Sequence, residues 1–110
     1  MGKWWHKLIP TYGNWGGPGW SGGQRGEPDF SVNAVDSLDR CFYNHDWEYH
    51  VSKFEDEYRN ADARLIQALW KLDPDPREWS QRPQYRFEAK VYRQLAVAVF
   101  SAGNWVKDWF

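Results

Sequence analysis

A chain of 110 residues with 14 basic and 15 acidic side chains has room for one small core and nets −1 at neutral pH, which gives no electrostatic footprint for a polyanion and argues against nucleic-acid binding. Nine Trp, six Tyr and six Phe make it 19% aromatic, yet mean hydropathy is −0.86 and no apolar run is long enough to span a bilayer. Aromatics in this number fit a small core, or a protein that works on a lipid surface where the amphipathic Trp ring prefers the headgroup layer.

The first residues, Met1 to Pro10, carry positive charge but no apolar stretch of the kind a secretory signal needs, so none is expected. Gly2 alone is weak as a myristoylation signal, because His6 stands where that motif wants Ser or Thr. Trp4 and Trp5, beside Lys3, His6 and Lys7, suit either a membrane interface or packing beneath the first helix. Residues 1–30 as a whole are rich in Gly, Trp and Pro without a sustained period, and are expected to form an ordered loop region. Its centre is Tyr12-Gly-Asn-Trp-Gly-Gly-Pro-Gly-Trp-Ser-Gly-Gly23, which Trp15 and Trp20 are placed to pin down.

Two helices are predicted across 33–72. The first starts at Asn33 as N-cap, with Asp36 three residues on, and runs to about Lys53 with Val35, Leu38, Phe42, His45 and Tyr49 on its apolar face. The second runs from about Phe54 to Leu72, where Phe54, Tyr58, Ala61, Leu65, Ala68, Leu69 and Leu72 recur at three-and-four spacing. Asp73-Pro-Asp-Pro-Arg77 breaks it. A third helix, 84–102, is expected to bury Phe87, Val91, Tyr92, Leu95, Ala96, Val99 and Phe100 and to end at Gly103-Asn104, with an apolar tail, Trp105 to Phe110, beyond it. The fold class is therefore mainly α: one domain over 1–110, with a Gly-rich loop, two antiparallel helices and a C-terminal helix. Cys41 is the only cysteine, so no intramolecular disulfide can form.

The chemistry sits in Ser37-Leu-Asp-Arg-Cys-Phe-Tyr-Asn-His45-Asp46-Trp-Glu-Tyr49. His45 and Tyr49, four apart, share a helical face, while Asp46 is turned about a third of the way around. An imidazole in an apolar stripe needs a partner for its second nitrogen, and Asp62, which leads the otherwise apolar set Asp62, Leu65, Ile66, Leu69, is the best candidate on the next helix, with Asp56 as rival. Such a carboxylate would fix the tautomer of His45 and stabilise the imidazolium formed when His45 takes a proton from water. The Gly-rich loop lacks the acidic side chains of a self-contained calcium loop, so a cation bound by its carbonyls would need a carboxylate from elsewhere, which Asp46 can supply. Together these features point to calcium-assisted hydrolysis. Taken singly they are bland, since a helical His is usually structural and a Gly-Gly-Pro-Gly run is often only a turn.

Tyr12-Gly-Asn-Trp-Gly-Gly-Pro-Gly19 followed by Asp39-Arg-Cys-Phe-Tyr-Asn-His-Asp46 and Tyr49 resembles the calcium loop and active-site helix of phospholipases A2 of the secreted type, over roughly residues 12–70. The resemblance implies a small phospholipase A2-like fold. It also implies Ca²⁺ held by the carbonyls of Trp15, Gly17 and Gly19 with Asp46, an oxyanion held in part by the amide of Gly17, and His45 activating water for attack on the sn-2 ester of a phospholipid at a membrane surface. Tyr49 and Asp62 complete the site on this reading. Secreted members carry disulfide cysteines where this chain has Gly16, Phe42 and Glu48, and the two that pair with each other are lost together, as Gly16 and Phe42. The segments Gly17-Pro-Gly19, Gly26-Glu-Pro28 and Ala34-Val-Asp-Ser37, with Asp62 on the following helix, are also similar to the disulfide-free phospholipase domains of parvoviral minor capsid proteins. The alternative is a lipid-binding module of the same fold with little or no turnover. A Trp-rich structural domain would explain the aromatics but not the His45 constellation.

Overall fold

The computed structural model describes residues 11–17, 20–24 and 27–101. They form three α-helices, α1 (Ser37–Val51), α2 (Glu55–Lys71) and α3 (Arg86–Ser101), with a single 3-10 turn at Pro76–Glu78, and among the described residues there is no strand beyond one isolated bridge between Tyr12 and Gly16. The architecture is mainly α, with a radius of gyration of 13.1 Å. Trp4, Trp5, Gly19, Gly103-Asn104 and the tail 105–110 lie outside the described residues.

α1 begins later than the sequence predicts. Asp36 rather than Asn33 is the N-cap, its Oδ1 accepting from the backbone amide of Asp39 at 2.8 Å. Asn33 is committed elsewhere, its carbonyl accepting from the Asn14 side-chain amide at 3.0 Å, so the chain does not coil there and Val35 falls outside the helix, 55% exposed. At the other end Ser52 is the C-cap, and residues 52–54 turn the chain so that α2 returns antiparallel to α1. Phe54 precedes α2 and offers no side-chain acceptor; Glu57 reaches back instead to the backbone amides of Lys53 (2.7 Å) and Phe54 (3.0 Å). The Phe54 ring, expected on the apolar face, is exposed for the same reason: at the cap it stands outside the helical period.

The core is shared by all three helices and the loop. Leu38 and Phe42 of α1, Ala61, Leu65 and Leu69 of α2, and Ala89, Tyr92, Ala96 and Phe100 of α3 are buried, together with Trp15 and Trp79. Phe42 meets Tyr92 edge-on at a centroid distance of 5.7 Å, which fixes α3 against α1. Buried Arg93 donates from Nε to the carbonyl of Leu69 at 2.9 Å, satisfying an orphan carbonyl in the last turn of α2 with a cation suited to that end of the helix dipole. The phase of α3 differs from expectation. Phe87 is 79% and Val91 50% exposed, because Ala89, Tyr92, Arg93, Ala96 and Phe100 supply the packed face. The small side chains Ala89 and Ala96 let α3 sit close, whereas the Phe87–Val91 stripe lies on another side of the same helix.

Truncating Phe42 to Ala is expected to cost about 3–5 kcal/mol, since its fully buried ring joins the loop, α1 and α3 and the cavity left cannot collapse without moving one of them. Urea unfolding followed by far-ultraviolet circular dichroism measures this; a loss under about 1 kcal/mol would show that the ring is not central to the core.

Candidate functional site

Two side chains of α1, His45 and Tyr49, converge on one of α2, Asp62. His45 is 1% exposed, and its Nε2 lies 2.8 Å from Asp62 Oδ1; Tyr49 donates its hydroxyl to the same oxygen at 2.7 Å. Asp62, and not Asp56, therefore faces the imidazole. Because a carboxylate only accepts, Nε2 carries the proton in this pair and Nδ1 carries the lone pair. The ring is in contact with two aromatics, tilted against Tyr49 with centroids 4.4 Å apart and edge-on to Phe100 at 5.3 Å. Burial pushes the imidazole below its ordinary pKa, opposed by the hydrogen bond and charge of Asp62, so the resting ring is a neutral base. Tyr49 is shifted up, first by burial and then by its bond to Asp62, which keeps the phenol a donor.

Asp46 faces the loop. It is 6% exposed, and its Oδ2 accepts from the Ser21 hydroxyl at 2.8 Å, while its buried Oδ1 has no hydrogen-bond partner among the described residues. Burial raises the carboxyl to about 8, the Ser21 bond opposing and the charge of Asp39 adding to the shift. Buried with an unsatisfied oxygen, this carboxyl is held neutral by a proton, and its ionised form is costly unless something positive completes it. Among the described residues no group of three or more His, Cys, Asp or Glu side chains gathers as a metal cage; one carboxylate combined with backbone carbonyls is a different kind of donor set.

The loop is fastened by a residue whose role the sequence reading missed. Asp39, fully buried in the first turn of α1, accepts from the backbone amides of Trp15 (2.9 Å), Asn14 (3.0 Å) and Val35 (3.0 Å). The loop approaches so closely that a Cβ on Gly13, itself at φ +53°, would stand 2.6 Å from the Asp39 carboxylate carbon. Asp36 adds a second tie through the hydroxyl of Tyr12, which donates to its Oδ2. Burial raises both acids, Asp39 to about 6, and the amide donors hold Asp39 from rising further. The one available signal was the spacing Asp36-x-x-Asp39 at a helix start, which marks a cap but says nothing of three amides drawn from two separate segments.

Within the loop, Tyr12 and Gly16 pair through two backbone hydrogen bonds of 2.8 and 2.9 Å, closing a turn over 13–15. Trp15 is fully buried and stacked on Phe30 at 5.1 Å, and Trp20 donates from its indole to the Gly13 carbonyl at 2.9 Å, so both tryptophans anchor the loop. Gly16 lies against Phe42, where an added Cβ would come within 3.1 Å of the ring. The Gly17 carbonyl accepts from the Trp20 amide at 3.3 Å. Of the expected site residues, the structure thus unites His45, Asp62 and Tyr49, and sets Asp46 against the loop through Ser21 rather than through a contact with Trp15 or Gly17; Gly19 is outside the described residues. Compared with protein-family models, curated proteins and solved structures, the chain matches none.

Replacing Asp39 by Asn keeps the volume but turns one acceptor into a donor facing backbone amides. A loss of about 2–3 kcal/mol is expected, with faster hydrogen exchange at Asn14, Trp15 and Val35 and little change at core amides of α2. Unaltered exchange at those three amides would show that the loop is held by other contacts.

Proposed function

We propose that the chain is a calcium-dependent phospholipase A2, hydrolysing the sn-2 ester of glycerophospholipids at a membrane surface. The observation that carries this reading is the buried His45–Asp62–Tyr49 unit, set one residue from a buried carboxylate that has an unsatisfied oxygen and abuts a Gly-rich loop. His45 Nδ1 takes the proton of the attacking water, Asp62 stabilises the imidazolium that results, and Tyr49 holds Asp62 in place. Asp46, with the carbonyls of Trp15, Gly17 and Gly19, would hold calcium: an unsatisfied carboxylate oxygen such as Asp46 Oδ1, combined with neutral carbonyls, is the kind of hard oxygen set that this cation takes. Bound there, the ion supplies positive charge to the oxyanion that develops on the ester, with the Gly17 amide as a second donor. The contact between Gly16 and Phe42 also supports the reading, since these are the positions at which secreted phospholipases A2 join loop to helix by a disulfide.

One observation favours a second reading, a lipid-binding module of the same fold with weak turnover. The Gly17 carbonyl is already taken by the Trp20 amide, so a cation would compete for it. Release of fatty acid and lysophospholipid from vesicles, in calcium and then in chelator, separates the two.

In that assay His45→Gln is expected to lose ~100-fold or more of turnover, the scale of general-base catalysis, without losing its folded circular dichroism spectrum. Wild-type turnover in the variant would remove His45 from the role of base. Calcium at a hundredfold excess over its dissociation constant is expected to stabilise the domain by about 2.7 kcal/mol, and Asp46→Asn to abolish both that gain and the calorimetric heat of binding. Equal melting in calcium and in chelator would mean that no ion binds the folded loop.

A further inference from the structure

Helix α3 carries a second apolar face, of which the core takes only part, through Leu95. Ala89, Tyr92, Ala96 and Phe100 pack inward, while Phe87, Val91, Leu95 and Ala98 recur at three-and-four spacing along another side. Phe87 is 79% and Val91 50% exposed, Ala98 is exposed and Leu95 half-buried. Arg86 and Lys90, four residues apart, run along one edge of this stripe, and Arg82 and the exposed ring of Tyr85 lie just upstream. α3 is also the helix whose exposed charge is positive: Arg86 and Lys90 against Glu88, with Arg93 buried against Leu69, whereas acids outnumber Lys and Arg three to one in α1 and four to three in α2.

We propose that the Phe87–Val91–Leu95–Ala98 stripe is a docking surface for an anionic phospholipid bilayer, with the apolar side chains entering the acyl boundary and Arg86 and Lys90 meeting lipid phosphates. The charge argues for lipid as the occupant. In a chain whose net charge is −1, cations are concentrated beside the largest exposed aromatic of its most apolar helix, the pattern of a helix lying in the plane of a bilayer interface. The small size of the stripe argues the same way: one helix edge offers well under the roughly 800 Å² per partner of a stable protein–protein interface, whereas a shallow apolar face supplemented by cations suffices at a bilayer. The stripe also leads toward the site. From Phe87 it extends along α3 to the end at which Phe100 meets His45, about 20 Å away at ~1.5 Å per residue.

The inference rests on the membrane-surface part of the proposed function and not on hydrolysis, so the test is run on the full chain carrying His45→Gln, which leaves the lipid intact. Sedimentation with phosphatidylcholine–phosphatidylglycerol vesicles is expected to fall roughly tenfold or more in Phe87→Ser with Val91→Ser. With Arg86→Gln and Lys90→Gln it should fall about 25-fold, toward the level seen on phosphatidylcholine alone. Melting temperatures should not change, because the four positions are exposed. Unchanged partitioning in both double variants overturns the proposal, as does a wild-type dimer that Phe87→Ser with Val91→Ser converts to monomer, since the occupant would then be a second copy. Vesicle binding through α3 with no fatty acid released by the wild-type chain would sink the enzyme reading and leave this one standing. Hydrolysis of a dispersed short-chain phospholipid, with vesicle binding indifferent to α3, would do the reverse.

Discussion

The acceptance of three backbone amides by one buried carboxylate, Asp39, holds the candidate site together. A Gly-rich segment without a disulfide has little to restrain it, and loop backbone brought into a core must find partners for its amides. Asp39 supplies them from the first turn of α1, tying Asn14 and Trp15 to Val35 across the base of the loop. Everything above follows from that tie. Trp15 can be buried and stacked on Phe30, Gly16 can lie on Phe42, and Ser21 can reach Asp46. Gly13 is the geometric counterpart, since no side chain fits between the loop and the carboxylate.

Asp36, Asp39 and Asp46 are all buried and all shifted upward by burial, yet they are not equivalent. Asp36 meets the Tyr12 hydroxyl and the Asp39 amide, and Asp39 meets three amides, so each uses its neighbours fully as a structural acceptor. Asp46 has Ser21 on one oxygen and nothing among the described residues on the other. Perturbed acids are common in structural networks, but an acid left incomplete beside a buried, oriented imidazole is where a charge-binding function is most economically placed. That contrast within one cluster separates the site from the scaffold.

The three helices were legible because their apolar periods are strong and Asp73-Pro-Asp-Pro-Arg77 interrupts them, and the pairing of His45 with Asp62 followed from the same period applied to two antiparallel helices. What was not legible depends on contacts between segments distant in sequence. Asn33 and Asp36 are both good caps, and only the demand of Asn14 on the Asn33 carbonyl decides between them. The face of α3 that turns inward could not be read either, since Phe87, Val91 and Leu95 continue the same apolar pattern as Tyr92, Ala96 and Phe100. The choice is made by close packing: Ala89 and Ala96 allow the approach that seats Tyr92 on Phe42 and carries Arg93 to Leu69. The role of Asp39 was not legible because its partners lie in two loop segments, at Asn14–Trp15 and at Val35.

The packing of α3 has a consequence for how the site is controlled. Phe100 and Tyr49 both pack against the His45 ring, so the orientation of the imidazole depends in part on where the far end of α3 lies. Close-packed interiors transmit displacement rather than absorb it, and α3 is fastened to α1 through Tyr92 and to α2 through Arg93 near its middle. A force on the exposed stripe therefore acts on a rigid element with two fixed points, and its effect is delivered to the core and to the ring of Phe100. On the proposed reading, the helix that meets the lipid is also a wall of the base's pocket. Binding at the surface and alignment of the base then share one structural element, which is why apolar side chains on its outer edge are useful rather than a defect of packing.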